Sequence, residues 1–102
     1  MSNELSKNAS ELLTNIRNKG PLVWNFSNFV SMDIAANALL SIGASPAMAH
    51  AKEESKDFIE ICKAINGALT INIGTFDPYW QECALKAAKN ANENNVPWVL
   101  DP

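Results

Sequence analysis

Five residues in this chain have side chains suited to ligand chemistry and fall where a chain bend would present them: Asn25, Asn28, Met48, His50 and Asp101. The densest stretch runs from Leu40 to His50, where Gly43, Pro46, Met48 and the single histidine fall within eight positions. An amide carries both a donor and an acceptor, so Asn25 and Asn28 could orient a heteroaromatic ring or a hydroxyl; capping the loop that follows is the equal alternative. Met48 offers a soft, polarizable thioether for packing against a flat ring, although methionine more often fills cores. His50 could carry a proton or simply hydrogen-bond at the surface. A carboxylate at the end of a strand, as expected for Asp101, can hold magnesium or cap a turn.

Other chemistries find little support. The glycines stand at 20, 43, 67 and 74, too far apart for either glycine-rich phosphate-binding motif. Cys62 and Cys83 show no CxxC spacing and fall on apolar helical faces, which points to core packing in place of zinc binding or nucleophilic catalysis. Asn37, in the apolar middle of a helix, reads as a structural hydrogen-bonding residue.

These residues must be positioned by the elements around them. Leu5, Ala9, Leu12, Leu13 and Ile16 recur at helical spacing until Gly20-Pro21. Leu22 to Phe26 reads as a buried strand, and Ser31 or Asp33 caps a second helix that runs to Ile42 and stops at Gly43. Ala44 to Met48 is a short extended piece that Pro46 confines to an edge. From Lys52 a third helix has Phe58, Ile61, Cys62 and Ile65 as its apolar face, pairs Glu60 with Lys63, and ends at Gly67. Ala68 to Ile73 is the clearest strand; Asp77-Pro78 then opens a fourth helix with Trp80, Ala84, Ala87, Ala88 and Ala91 on one side and a Glu82–Lys86 pair. Val96 to Leu100 is the last apolar run.

The order αβαβαβαβ predicts an α/β fold with a mostly parallel sheet flanked by helices. No repeat or linker divides the chain, so residues 1–102 are expected to form one partial domain, truncated after the fourth strand, because a parallel sheet wants its faces and edges covered. Composition agrees with a globular domain: 102 residues, 47% hydrophobic, 19% charged and a net charge of -3. The scattered basic residues exclude nucleic acid as a favoured partner, and no apolar run approaches the ~20 residues of a membrane helix. The amino terminus lacks a secretory or organellar signature, and reduced buried thiols fit a cytoplasmic location.

Four segments, PLVWNFSNFV (Pro21 to Val30), ANALLSIGASPAMAHAKEE (Ala36 to Glu54), LTINIGT (Leu69 to Thr75) and PWVLDP (Pro97 to Pro102), resemble the amino-terminal half of the hydroxyethylthiazole kinases. These are ribokinase-like enzymes of thiamine salvage. The resemblance implies transfer of the terminal phosphoryl group of ATP to the primary alcohol of hydroxyethylthiazole, with Mg2+, in a homotrimer whose sites lie at subunit interfaces. By matching position Met48 would contact the thiazole, with Asn28 and Val30 beside it, and Asp101 is the candidate metal ligand. Trp24 stands where the family usually has His, and Ser27 where it commonly has Thr. The family's ATP-contacting segment and its glycine-rich anion hole, which bears the catalytic residue, have no counterpart in these 102 residues. The expectation is therefore a chain holding the acceptor wall of the site without competence as a kinase alone. The alternative is a non-catalytic thiazole-binding or assembly module. A flavodoxin-like regulatory domain ranks last, since Asn25, Asn28 and Asn72 stand where it would need grouped acids.

Overall fold

The computed structural model describes residues 2–49 and 51–102. The elements follow in the order α1 (Ser2–Lys19), β1 (Leu22–Phe26), α2 (Met32–Ser41), β2 (Ser45–Ala47), α3 (Ser55–Ile65), β3 (Ala68–Asn72), α4 (Pro78–Glu93) and β4 (Trp98–Asp101), with a 3-10 turn over Lys52–Glu54 leading into α3. The strands form one sheet in the order β2-β1-β3-β4, and all three pairings are parallel. This is the expected α/β architecture. Pro46 does sit in an edge strand, paired with Val23, where its missing N–H can face away from the ladder.

Alternation along the strands separates two faces. Leu22, Trp24 and Phe26 of β1 and Leu69 and Ile71 of β3 point to the side covered by α3 and α4, meeting Ile59, Cys62, Cys83, Ala84, Ala87 and Ala91 in one buried cluster. Small residues on α4 let it approach the strands closely. Trp24 is fully buried at 0% exposure, stacked on Phe58 with ring centroids 5.0 Å apart and tilted against Phe26 at 4.9 Å. Gly67 brings α3 back against the sheet: a Cβ there would lie 2.5 Å from the Leu22 carbonyl oxygen. The opposite face carries α2, none of whose residues is buried.

Several local expectations change. The face α3 turns to the core is Ser55, Ile59 and Cys62, whereas Ile61 and Ile65 are about half exposed, at 47% and 51%. The left-handed residue closing α3 is Asn66, φ 55°, one position before the expected Gly67. Asparagine tolerates that conformation, and Gly67 serves the close approach instead. Glu82 binds Lys52 at 3.1 Å in place of Lys86, and this is the ion pair formed among the described residues, so Glu60 and Lys63 stand apart. Helix α1 reaches the body through its last turns, where Arg17 lies against Gly43 and Leu13 and Ile16 are half-buried; Leu5 and Leu12 remain exposed. Asn37 is exposed and hydrogen-bonds within its own helix: its Nδ2 donates to Asp33 Oδ1 at 3.5 Å and its carbonyl accepts from Ser41 Oγ at 2.7 Å. Among the described residues no helix is long and apolar enough to cross a membrane.

Candidate functional site

The chain leaves β1 toward β2 through α2 and leaves β3 toward β4 through α4, so the connections diverge between β1 and β3. Such a divergence opens a crevice at the carboxyl ends of the strands, where open α/β sheets bind ligands. A groove of about 360 Å³ lies there on the α2 side, lined by Asn25, Ser31, Ile34, Thr70, Val99 and Asp101 among others.

The rim is built by the loop after β1. Ser27 is buried and its hydroxyl lies 3.2 Å from that of Ser31, the residue before α2. Asn28 Oδ1 accepts from the backbone N–H groups of Val30 and Ser31, each at 2.9 Å, which folds the loop around the amide. Asn28 Nδ2 donates to Asn72 Oδ1 at 2.7 Å, and Gly74 N–H donates to that same oxygen at 2.8 Å. Asn72 Nδ2 in turn donates to Asp101 Oδ2 at 2.8 Å. The ends of β1, β3 and β4 are thus joined by one hydrogen-bonded row. A second tie runs from Phe29 N–H to Thr75 Oγ1 at 3.2 Å, with the Phe29 ring stacked on Trp80 at 4.8 Å.

The structure therefore brings Asn28 and Asp101 together through Asn72. Asn28 performs the loop-capping task, with its amide oxygen committed to Val30 and Ser31. Val30 is 83% exposed beside it. Asn25 points into the groove. Met48 follows β2, the strand on the side of β1 away from β3 and β4, and is half-buried and outside the groove lining. The carbonyl of the next residue, Ala49, accepts from Trp24 Nε1 at 2.7 Å, so the tryptophan both fills the core and fixes the segment that carries Met48. His50 lies outside the described residues.

Asp101 is exposed and, apart from Asn72, has no partner among the described residues; no group of three or more His, Cys, Asp or Glu there could enclose a metal ion. Magnesium usually keeps several waters and takes one or two carboxylates plus substrate phosphates, so a lone oriented carboxylate fits that ion and would not suit a protein-enclosed one. The cysteines are free and buried as expected. Burial pushes the Cys62 thiol above its ordinary value, partly offset by a backbone hydrogen bond from Trp24, which opposes a role as nucleophile.

Asn72 and Gly74 were not among the residues predicted for the site. Their signal in the sequence is an amide ending the clearest strand, two positions before a glycine. A Cβ on Gly74 would stand 2.8 Å from Asn28 Nδ2 and 3.1 Å from Asn72 Oδ1, so any side chain there would wedge the two amides apart.

Comparison with known proteins agrees with this fold. A family model described as the hydroxyethylthiazole kinase family matches residues 13–102. A hydroxyethylthiazole kinase from Roseobacter denitrificans is 53% identical over 92 residues, covering 90% of this chain and 34% of the relative. One from Pyrococcus abyssi is 49% identical over 92 residues, covering 90% and 33%. The solved structure of hydroxyethylthiazole kinase from Pyrococcus horikoshii superposes with a TM-score of 0.83 at 49% identity, covering 90% of this chain and 35% of that one. The chain spans about a third of the length of the curated relatives it matches. With the fold, the order of its motifs and 90 consecutive residues in agreement, the chain belongs to the hydroxyethylthiazole kinase family.

Proposed function

We propose that this chain supplies the acceptor side of a site for ATP-dependent phosphorylation of the primary alcohol of hydroxyethylthiazole. The observation that carries the reading is the row Asn28–Asn72–Asp101, which ties a loop suited to holding the acceptor to a carboxylate suited to magnesium. In this reading Met48 packs its thioether on the thiazole ring and Val30 closes over it. Asn28 holds the Val30 and Ser31 backbone in place and has one amide hydrogen left for the alcohol. Asp101 would hold Mg2+, whose charge neutralises the transferring phosphoryl group when bound. Phosphoryl transfer rests on positioning and charge stabilisation, and the described residues provide positioning on one side only. The trimer implied by the family resemblance is supported by the exposed Phe29, Val30 and Ile34 around the start of α2. A cytoplasmic setting is supported by two unpaired buried thiols.

The test is calorimetric titration of the chain with hydroxyethylthiazole and with ATP separately. Thiazole binding is expected, weakened about tenfold by Met48→Ala through loss of one sulfur–ring contact, with no comparable ATP binding. ATP binding in the absence of thiazole binding would overturn the reading. Thiazole binding by an oligomer, with no phosphate transfer after every other component is supplied, would establish the binding-module alternative.

A further inference from the structure

We propose that Asn72 is a positioning residue that couples the acceptor-side loop to the Asp101 carboxylate, so that the two are set together and a ligand on one is felt at the other. The inference rests on the roles given above to Asn28 and Asp101, while its evidence is the direction of the hydrogen bonds.

That direction is forced. The N–H groups of Val30 and Ser31 can only donate, so the atom between them must be the amide oxygen of Asn28, and its Nδ2 must face Asn72. Both Asn28 Nδ2 and the Gly74 N–H are donors, so Asn72 must turn its oxygen to them. Its Nδ2 is thereby aimed at β4, where it needs an acceptor. Asp101 stands opposite Asn72 in the strand register and supplies one at 2.8 Å. Reversing either amide would set donor against donor on one side of it and acceptor against acceptor on the other. Among amides and carboxylates the row works only with an amide in the middle and an acceptor at its end. Gly74 leaves the space the row occupies, since a side chain there would enter between Asn28 and Asn72.

Two consequences follow for the site. Asp101 Oδ2 is engaged by Asn72, which fixes the rotation of the carboxylate and leaves Oδ1 for a cation. Any cation drawing on the carboxylate also changes what Asn72 can donate, and through Asn28 it changes the hold on Val30 and Ser31. By linkage the effect is reciprocal, so an acceptor ordering the loop strengthens cation binding.

The experiment is a mutational cycle on the 102-residue chain, read by two-dimensional amide NMR and hydrogen exchange. Asp101→Ala is expected to shift the Val30, Ser31 and Gly74 amides and to speed their exchange about fivefold, as for loss of one hydrogen bond. In an Asn72→Ala background the same Asp101 change is expected to have no further effect on them. Asn72→Asp guards against a variant that fails to fold: it keeps an oxygen for Asn28 and Gly74 but sets a second carboxylate against Asp101. Expected there are Val30 and Ser31 amides close to wild type with a displaced Asp101 signal. A loop response to Asp101→Ala that is absent with Asn72 present, or equally large without it, overturns the proposal. Titration with MgCl2 alone separates this from the functional reading. Shifts at both Asp101 and Val30 that shrink to Asp101 alone in Asn72→Asp support the coupling, and their persistence at Val30 in that variant overturns it. A titration that moves no signal overturns the metal role of Asp101, and the mutational cycle alone then decides the coupling.

Discussion

The two faces of the sheet are made by the same four strands yet do opposite work. On the α3 and α4 side, Trp24, Leu69 and Ile59 are fully buried and nearly every neighbour is apolar. On the α2 side the residues in register across the sheet are Asn25, Thr70 and Val99; Val99 is 64% exposed, and α2 contributes no buried residue. Stability is therefore concentrated on one face, and the groove with its polar row occupies the carboxyl end of the other. A parallel sheet buried on both faces would carry near-continuous apolar strands. Here the alternation of Trp24 with Asn25 and of Leu69 with Thr70 keeps one face dry and the other chemically equipped.

The contrast breaks most sharply at Trp24. Trp24→Ala is expected to cost about 3–5 kcal/mol, the range for emptying a large aromatic site, which is a large share of the stability of a small domain. Val99→Ala on the other face should stay within about 0.5 kcal/mol. Urea denaturation of both variants measures the difference, and similar midpoints would mean that the faces share the load. Gly67→Ala tests the same face through its backbone. The added methyl would meet the Leu22 carbonyl oxygen at 2.5 Å and Cys62 at 3.1 Å, so α3 must move off the sheet, at an expected cost of about 1–3 kcal/mol.

Alkaline pH sharpens the comparison from a different direction. Burial raises the Cys62 thiol in the folded chain above 9.0, so between the unfolded and folded values the unfolded chain binds fewer protons. Stability is then complete below about pH 9 and falls as pH rises through that window, by up to about 1.4 kcal/mol per pH unit. Cys62→Ala should flatten that limb in denaturation curves taken from pH 8 to 10.5, and an unchanged slope would exclude Cys62 as its source.

Much of this division could be read from residue order, and the failures are instructive. Helix and strand limits were legible because each is marked by local chemistry: Asp77 does accept from Trp80 N–H at 2.8 Å ahead of Pro78, and Gly43 does take φ 96° after α2. Periodicity showed that α3 has an apolar face but could not say that Ile59, and not Ile61, would enter the buried cluster, because both positions are apolar and only the sheet decides. Glu82 had a local candidate in Lys86, while its partner Lys52 is 30 residues away. The site followed the same rule. Asn28 and Asp101 were visible as polar residues at strand ends, but Asn72 joins them over separations of 44 and 29 residues, which no local pattern encodes. Trp24 was legible as part of an apolar strand; that its indole N–H would reach the Ala49 carbonyl depended on the path of the loop after β2.

That indole contact separates packing from positioning within one residue. Trp24→Phe keeps an aromatic ring in the core but removes the 2.7 Å bond to Ala49, with an expected loss of about 1–2 kcal/mol from the missing bond and the smaller ring. The Met48 amide and its neighbours should show faster hydrogen exchange while those of β3 hold. Uniform acceleration would mean that the indole N–H does not specifically fix the loop.

One expected effect on the groove face has the opposite sign. Thr70 lies on the groove face, and its hydroxyl oxygen is shut away from solvent with no hydrogen-bond partner among the described residues. A buried hydroxyl without a partner carries a desolvation cost that a methyl of the same shape does not. Thr70→Val is therefore expected to stabilise the chain by about 0.5–1 kcal/mol, whereas a polar-to-apolar change at the hydrogen-bonded Asn72 should destabilise it. Thermal or urea unfolding of the two variants decides whether the polar residues of this face are alike or fall into a partnered row and an unpartnered hydroxyl beside it. Destabilisation by Thr70→Val would show that the hydroxyl has a partner in solution, and the polar face would then be satisfied across its whole width.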